Sequence, residues 1–284
     1  MTEQAAIPAE IETSFGKGAS DEYFPVASCL ISPALRPHVM NFYAFARAAD
    51  DIADSPALTE SDKLARLGLF EAGLSGTGAP KAVVLARSLS QVGVSDQHAR
   101  DLLNAFRQDA VARRHNRWED LIGYCALSAN PVGHFLLDLH GEDRFLYRGA
   151  DALCTVLQIL NHIQDCAADY ADLDRVYLPL EMLAEEGLKV DVLSSPASPP
   201  GLRRVFDLVL KRCEALLYQS AGWSAKMRSR RLRAETAAIT SLAWRLIARL
   251  RQADPLADQI GLTALDKAWA GVRGIAALSG RGFA

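Results

Sequence analysis

The sequence predicts an all-α fold. Apolar residues recur at three- and four-residue intervals through most of the 284-residue chain, as an amphipathic helix requires. Alternating β-branched runs of the strand type are nearly absent, and no segment repeats at a fixed period. The first helix is predicted over residues 33–54 and is stopped by Ser55 and Pro56, because the residue before a proline is driven out of the helical region. Helical segments at 61–72 and 80–91 follow, with GLSGTGAP (73–80) as a flexible connector. Ser95 can cap a helix reaching residue 111, and another spans 118–140, interrupted or kinked at Asn130 and Pro131. The next runs over 150–170 and must end before Pro179. PASPPG (196–201) is the strongest breaker, after which helical pattern resumes over 202–250 with a break near Gly222. A last helix is predicted over 263–277. All of this reads as one domain over residues 1–284, with 1–20 a flexible tail.

Half of the chain is apolar, so a core can form without staples. The net charge of −3 gives no reason to expect a nucleic-acid partner. Basic residues cluster at Arg113, Arg114 and Arg117, and again at Lys226, Arg228, Arg230, Arg231 and Arg233. These read as solvated helix faces or, alternatively, as contacts with anionic headgroups. Cys29, Cys125, Cys154, Cys166 and Cys213 are odd in number and never in Cys-x-x-Cys spacing, which suits reduced thiols in the cytoplasm. Glu3, Glu10 and Glu12 and the lack of a long apolar run argue against a signal peptide. No stretch approaches a membrane span, so any membrane contact is expected to be peripheral. Glycine-rich phosphate loops are missing, and His134, His140 and His162 lack metal-ligand spacing and read as core or cavity wall.

The chemistry shows in two aspartate pairs, Asp50 with Asp54 and Asp165 with Asp169. At i, i+4 spacing both carboxylates of a pair face the same way and repel by roughly 0.2 to 0.5 kcal/mol. Each pair also lies near a helix C-terminus, where negative charge opposes the helix dipole at about 0.3 to 1 kcal/mol per exposed charge. Something positive should sit between them. Hard cations take carboxylate oxygens, and Mg²⁺ in particular combines a few carboxylates with substrate phosphates. A third pair, Asp254 with Asp258, encloses Pro255 and reads as a solvated loop. The first two stand out by their company. Tyr43, Arg47, Asp50 and Asp54 fall within an arc of about 60°, and Gln158, Asn161, Asp165 and Asp169 within roughly 80°, on helices otherwise largely apolar. A polar stripe on an apolar helix either lines a wet cavity or faces solvent, and finding two such stripes favours the cavity.

The motifs YAFARAADDIAD (43–54), YCALSANPVG (124–133), LQILNHIQDCAADY (157–170) and DRVYLP (174–179) resemble those of the head-to-head isoprenoid synthases: squalene, dehydrosqualene and phytoene synthases. The likeness covers most of residues 22–250. It implies a class I isoprenoid synthase bundle around a central cavity. With EYFPVAS (22–28), the chain looks most like the bacterial hydroxysqualene synthases of hopanoid-type squalene pathways. Such an enzyme ionises presqualene diphosphate and lets water capture the cation. By position, the resemblance implies that Asp50, Asp54, Asn161, Asp165 and Asp169 are Mg²⁺ ligands. It likewise implies that Tyr43 and Arg47 meet the diphosphate, with Gln158, Arg175 and Tyr177 nearby. Enzymes of neighbouring pathway steps are implied as partners. Two departures matter: a lysine that binds diphosphate in some relatives is replaced around Glu22, and an arginine common before the second aspartate motif is Gln164. Fewer cations favour one diphosphate over two.

A carbocation needs apolar and aromatic walls and little water. Phe24, Phe42, Phe45, Phe135, Leu136 and Leu160 are candidates, with plain core packing as the alternative for each. Tyr124, Ser128, Asn130 and His134 are candidates to hold the attacking water. Competing readings are condensation of two prenyl diphosphates to presqualene diphosphate, squalene or phytoene, and a non-catalytic assembly or binding protein. The second has little need of four aspartates.

Overall fold

The computed structural model describes residues 31–278. Among them are eleven α-helices and three short 3-10 helices; their isolated β-type contact is a parallel bridge between Arg114 and Val176. Helix α1 (Arg36–Asp54) starts three residues later than its apolar pattern, because Ser32 to Leu35 form a turn and Pro37 occupies the first helical turn. Proline there loses no hydrogen bond that the helix could use. Thr59 and Asp62 form a capping box that opens α2 (Glu60–Leu74). Gly93, in the left-handed region at φ 67°, closes α3 (Pro80–Val92). The N-cap of α4 (Gln97–Val111) is Asp96 and not the expected Ser95, whose hydroxyl, one residue earlier, accepts the Gln97 N–H at 3.2 Å.

The expected 118–140 helix is two helices. α5 (Trp118–Ser128) and α6 (Asn130–Leu139) break at Ala129, one residue before the expected kink, because Pro131 fits the first turn of a new helix. α7 (Tyr147–Leu173) overruns its predicted span by three residues at each end and stops on Asp174, a non-glycine residue at φ 50°. A short α8 (Leu180–Glu185) was not legible. α9 (Pro200–Gln219) and α10 (Arg230–Gln252) are separated at the expected break by Gly222 and a 3-10 turn, Trp223–Lys226. α11 (Ala264–Leu278) lies along α10. Asp254 and Asp258 are in a loop as expected, yet Asp254 is not merely solvated: it accepts from the Ser198 N–H at 2.7 Å and the Leu256 N–H at 3.0 Å.

Two cores result. Phe45, Ile52, Leu67, Phe70, Leu85 and Leu102 join α1 to α2, α3 and α4. Ile159, Leu160, Ile163, Phe206, Val209 and Leu246 join α7 to α9 and α10. Phe42 of α1 stacks on Phe135 of α6, centroids 4.1 Å apart, and α6 packs on α7, so α6 bridges the cores. α7 has room for its neighbours only through glycine. A Cβ at Gly133 of α6 would stand 2.8 Å from the Cys154 sulfur, and one at Gly149 would overlap the Trp223 ring. Gly149→Ala is expected to destabilise the protein by about 1 to 3 kcal/mol despite alanine's better helix propensity, because a rigid indole must move. Urea unfolding monitored by circular dichroism measures this.

Candidate active site

A cavity of about 380 Å³ lies between α1, α6, α7 and α10. Phe42, Phe135, Leu136, Leu153, Leu157 and Ile239 make its wall mostly apolar, while Tyr43 enters from α1 and Gln158 and Asn161 from α7. Both polar stripes therefore begin in one cavity. One turn beyond Ala46 on α1 comes Asp50 and then Asp54; one turn beyond Asn161 on α7 comes Asp165 and then Asp169. All four aspartates are half-buried, neither sealed in the core nor splayed into solvent. Phe45 and Leu160, expected as walls, are instead fully buried core residues outside the lining. Phe24, Glu22 and the EYFPVAS segment lie outside the described residues.

The two aspartate motifs meet at Arg175. This residue is only 5 % exposed, and its guanidinium donates to the Asp54 carboxylate and to the carbonyls of Ala53 at 2.9 Å and Asp109 at 3.1 Å. Its own backbone N–H donates to the Asp169 carbonyl at 3.0 Å. One residue thus joins the C-terminal ends of α1, α4 and α7. The segment that carries it is pinned by the Val176 N–H to the Arg113 carbonyl, and by Arg113 and Arg114 to the Asp174 carboxylate. The arginine cluster at 113 and 114 is accordingly a loop clamp, not a helix face.

Asp50 carries a marked electrostatic perturbation. Burial holds its carboxyl well above the usual carboxylate range, and the neighbouring Asp54 and Asp109 push the same way, against Arg47 and Arg175. Arg47 forks between Asp50 at 3.1 Å and the buried Asp51 at 2.5 Å, which fixes it along the stripe. Hard oxygen donors are present, yet among the described residues no three His, Cys, Asp or Glu side chains gather closely enough to form a metal cage. Gln158 is oriented by His162, whose Nε2 is 3.2 Å from the amide nitrogen. Burial, with His115 and Arg175, lowers His162 to about 3, so the ring is neutral and that Nε2 accepts. His162 stacks on Tyr177 at 3.6 Å.

Of the four candidate water holders, Ser128 alone meets the cavity, and its buried hydroxyl has no hydrogen-bond partner among the described residues. Asn130 accepts from Thr155 and lines a separate groove, and His134 is bound to Asp151 at 2.6 Å. Tyr124 is buried behind the site, where its hydroxyl is committed to Asp109.

The chain matches the squalene/phytoene synthase family over residues 18–267. It belongs to that family. Its relatives include the hydroxysqualene synthase of Rhodopseudomonas palustris, 42% identical over 90% of this chain and 88% of that one. The hydroxysqualene synthase of Zymomonas mobilis is 41% identical over 86% of this chain and 84% of its own. Among solved structures, squalene synthase HpnC from Alicyclobacillus acidocaldarius superposes with a TM-score of 0.71 at 30% identity, covering 80% of this chain and 87% of that one.

Sequence reasoning missed Asp109 in this squalene/phytoene synthase family member. It accepts from Tyr124 at 2.8 Å and Tyr177 at 3.2 Å, and burial pushes it up to about 6, against Arg175 and Tyr124. A carboxylate amid the buried face of α4, beside Ala105, Phe106 and Ala110, was the available signal. Gln164, at the family's arginine position, donates to the Ile260 carbonyl and so tethers the loop between α10 and α11. Arg175→Met is expected to destabilise the protein by about 3 kcal/mol or more, since Asp54 and two carbonyls lose a buried partner; chemical denaturation checks it. Asp109 is raised, so its stabilising contribution is complete below about pH 4 and lost as pH climbs through about 6. Asp109→Asn should gain on the wild type by up to about 3 kcal/mol between those pH values, read from paired urea melts.

Proposed function

We propose that the protein is a hydroxysqualene synthase, converting presqualene diphosphate and water to hydroxysqualene and diphosphate. The observation that carries this reading is the junction at Arg175, which unites both aspartate motifs beside a cavity that α1 and α7 line together. The similarity to hydroxysqualene synthases along nearly the whole chain supports the same activity.

In this reading Asp50, Asp54, Asn161, Asp165 and Asp169 would hold Mg²⁺ beside the substrate diphosphate. Carboxylates with too few neighbours for a complete cage suit that ion, which draws ligands from phosphate. When bound, it supplies positive charge to the leaving diphosphate. The chain's own residues do the rest. Arg47 and Arg175 hold the carboxylates in place, and Tyr43 and Gln158 position the diphosphate at the polar end of the cavity. The carbon–oxygen bond breaks with its electron pair on the diphosphate, and the cyclopropylcarbinyl cation left behind rearranges, breaking a ring bond, to the open-chain cation that water captures. Phe42, Phe135 and Leu136 face the cation and keep bulk water out. Ser128 holds one water, whose oxygen bonds to carbon and whose proton is then lost. No nicotinamide is consumed.

Asp50→Ala and Asp165→Ala are expected to lower diphosphate release by more than about a hundredfold with circular dichroism unchanged, as loss of transition-state charge stabilisation predicts. Near wild-type turnover would remove the metal assignment. Incubation of the protein with presqualene diphosphate and Mg²⁺ in H₂¹⁸O should give product with a heavy hydroxyl by mass spectrometry. Diphosphate release from farnesyl diphosphate alone would favour condensation instead, and squalene formed only with NADPH would overturn water capture.

A further inference from the structure

Helix α11 packs the wrong way round for a globular protein. Its small or paired side, Asp266, Ala270 and Gly274, is buried against the body, with Asp266 bound to Arg249 at 2.7 Å. Its large apolar side chains point outward: Leu265 is 82% exposed, Ile275 65%, Val272 56% and Trp269 48%. They occupy an arc of about 120°, the width of an ordinary core-facing stripe. Scattered exposed apolar residues need no explanation, but a contiguous stripe does.

Charge and size indicate what covers it. Arg273 borders the stripe on α11, and Arg245 lies 5.9 Å from the centre of the Trp269 ring. At the far end Arg230 of α10 donates to the Leu278 carbonyl, which brings the exposed Lys226, Arg228 and Arg231 to the same end. Of the neighbouring carboxylates, Glu142 is buried and accepts the backbone N–H groups of Arg228 and Ser229, while the exposed Asp143 accepts from the Phe145 N–H. A fifteen-residue helix is about 22 Å long and 10 Å wide. The stripe therefore offers roughly 220 Å², against the ~800 Å² per partner that a stable protein interface needs. It is too small for a dimer seam and suits a basic, tryptophan-bearing helix lying in a lipid interface.

We propose that α11, with the basic turn that opens α10, is a peripheral docking surface for an anionic bilayer. Among the described residues no helix is long and apolar enough to cross one, so the contact is flat. The surface is independent of the catalytic reading and can be tested without substrate. Full-length protein should co-sediment with phosphatidylcholine vesicles containing phosphatidylglycerol, with a blue shift of tryptophan emission that Trp269→Phe abolishes. The triple variant Leu265→Ser, Trp269→Ser and Ile275→Ser should lose at least about tenfold in vesicle affinity. Arg231→Ala, which leaves the apolar stripe intact, should lose about fivefold and should flatten the salt dependence. Failure of the wild type to bind these vesicles would overturn the proposal, as would undiminished binding of the triple variant. So would a wild-type dimer that the triple variant dissolves, since a second copy would then be the occupant.

Discussion

Three helices end on one buried arginine, Arg175. Ala53 in the last turn of α1 and Asp109 in the last turn of α4 give their carbonyls to the Arg175 side chain, and Asp169 in α7 gives its carbonyl to the Arg175 N–H. Each helix end carries the equivalent of about half a negative charge. Each end also bears at least one carboxylate: Asp50 and Asp54, Asp109, and Asp165 and Asp169. Left alone, such a junction would not hold. Arg175 compensates part of it, and Lys63 adds a second donor to the Ala53 carbonyl at 2.8 Å. Burial, with the neighbouring carboxylates pushing the same way, holds the carboxyl groups of Asp50 and Asp109 above their usual range. Negative charge gathered beyond what the chain's own cations offset costs stability, and it is the arrangement that the proposed Mg²⁺ site would use.

That imbalance organises the surroundings. Arg175 can be buried only because the chain after α7 turns sharply at Asp174 and is then clamped by the 113–116 segment, whose Arg113, His115 and Asn116 carbonyls take the N–H groups of Val176, Leu180 and Glu181. The ring group formed by His115, Tyr124, His162 and Tyr177 packs behind the junction. These rings keep water away from Asp109 while two of them donate to it. A neutral His162 then passes the order forward by fixing Gln158 at the cavity border. Tyr124 and Tyr177, which look like substrate groups in the sequence, both donate their hydroxyls to the Asp109 carboxylate.

Helical periodicity made much of this legible. The stripes on α1 and α7 depend on 100° per residue, and the cavity that both line is the one their polar residues required. Helix ends were readable where proline or glycine enforces them, at Ser55 and Gly222. What could not be read depends on contacts between distant segments. Asp109 becomes significant only when Tyr124, Tyr177 and Arg175 reach it, the last from 66 positions away. Arg113 and Arg114 looked like surface charge because their partner, Asp174, is 60 or more residues distant. Gln164 seemed a mere loss of charge until its tether to Ile260 was visible. On α11 the apolar pattern was correctly helical, but periodicity cannot tell which face a neighbour covers.

Polarity along the cavity has a direction. Carboxylates and Arg175 gather where α1 and α7 end, and the opposite end is closed by Trp223, Met227 and Leu232, at the turn that leads into α10. A prenyl diphosphate placed with its charge on the polar end would extend its hydrocarbon toward that turn. The same turn carries the exposed cations proposed to meet a bilayer, and Arg230 ties it to the end of α11. Trp223 lines both the cavity and the groove on the outer side of α7, and Gly149 has no side chain where the indole lies. The hydrocarbon end of the chamber therefore lies one aromatic ring from a surface groove whose rim holds Phe145, Arg148 and Lys226. Soluble diphosphate and a water-insoluble triterpene would leave by opposite ends, which gives a physical reason for the docking surface to sit beside α10 and away from the aspartates.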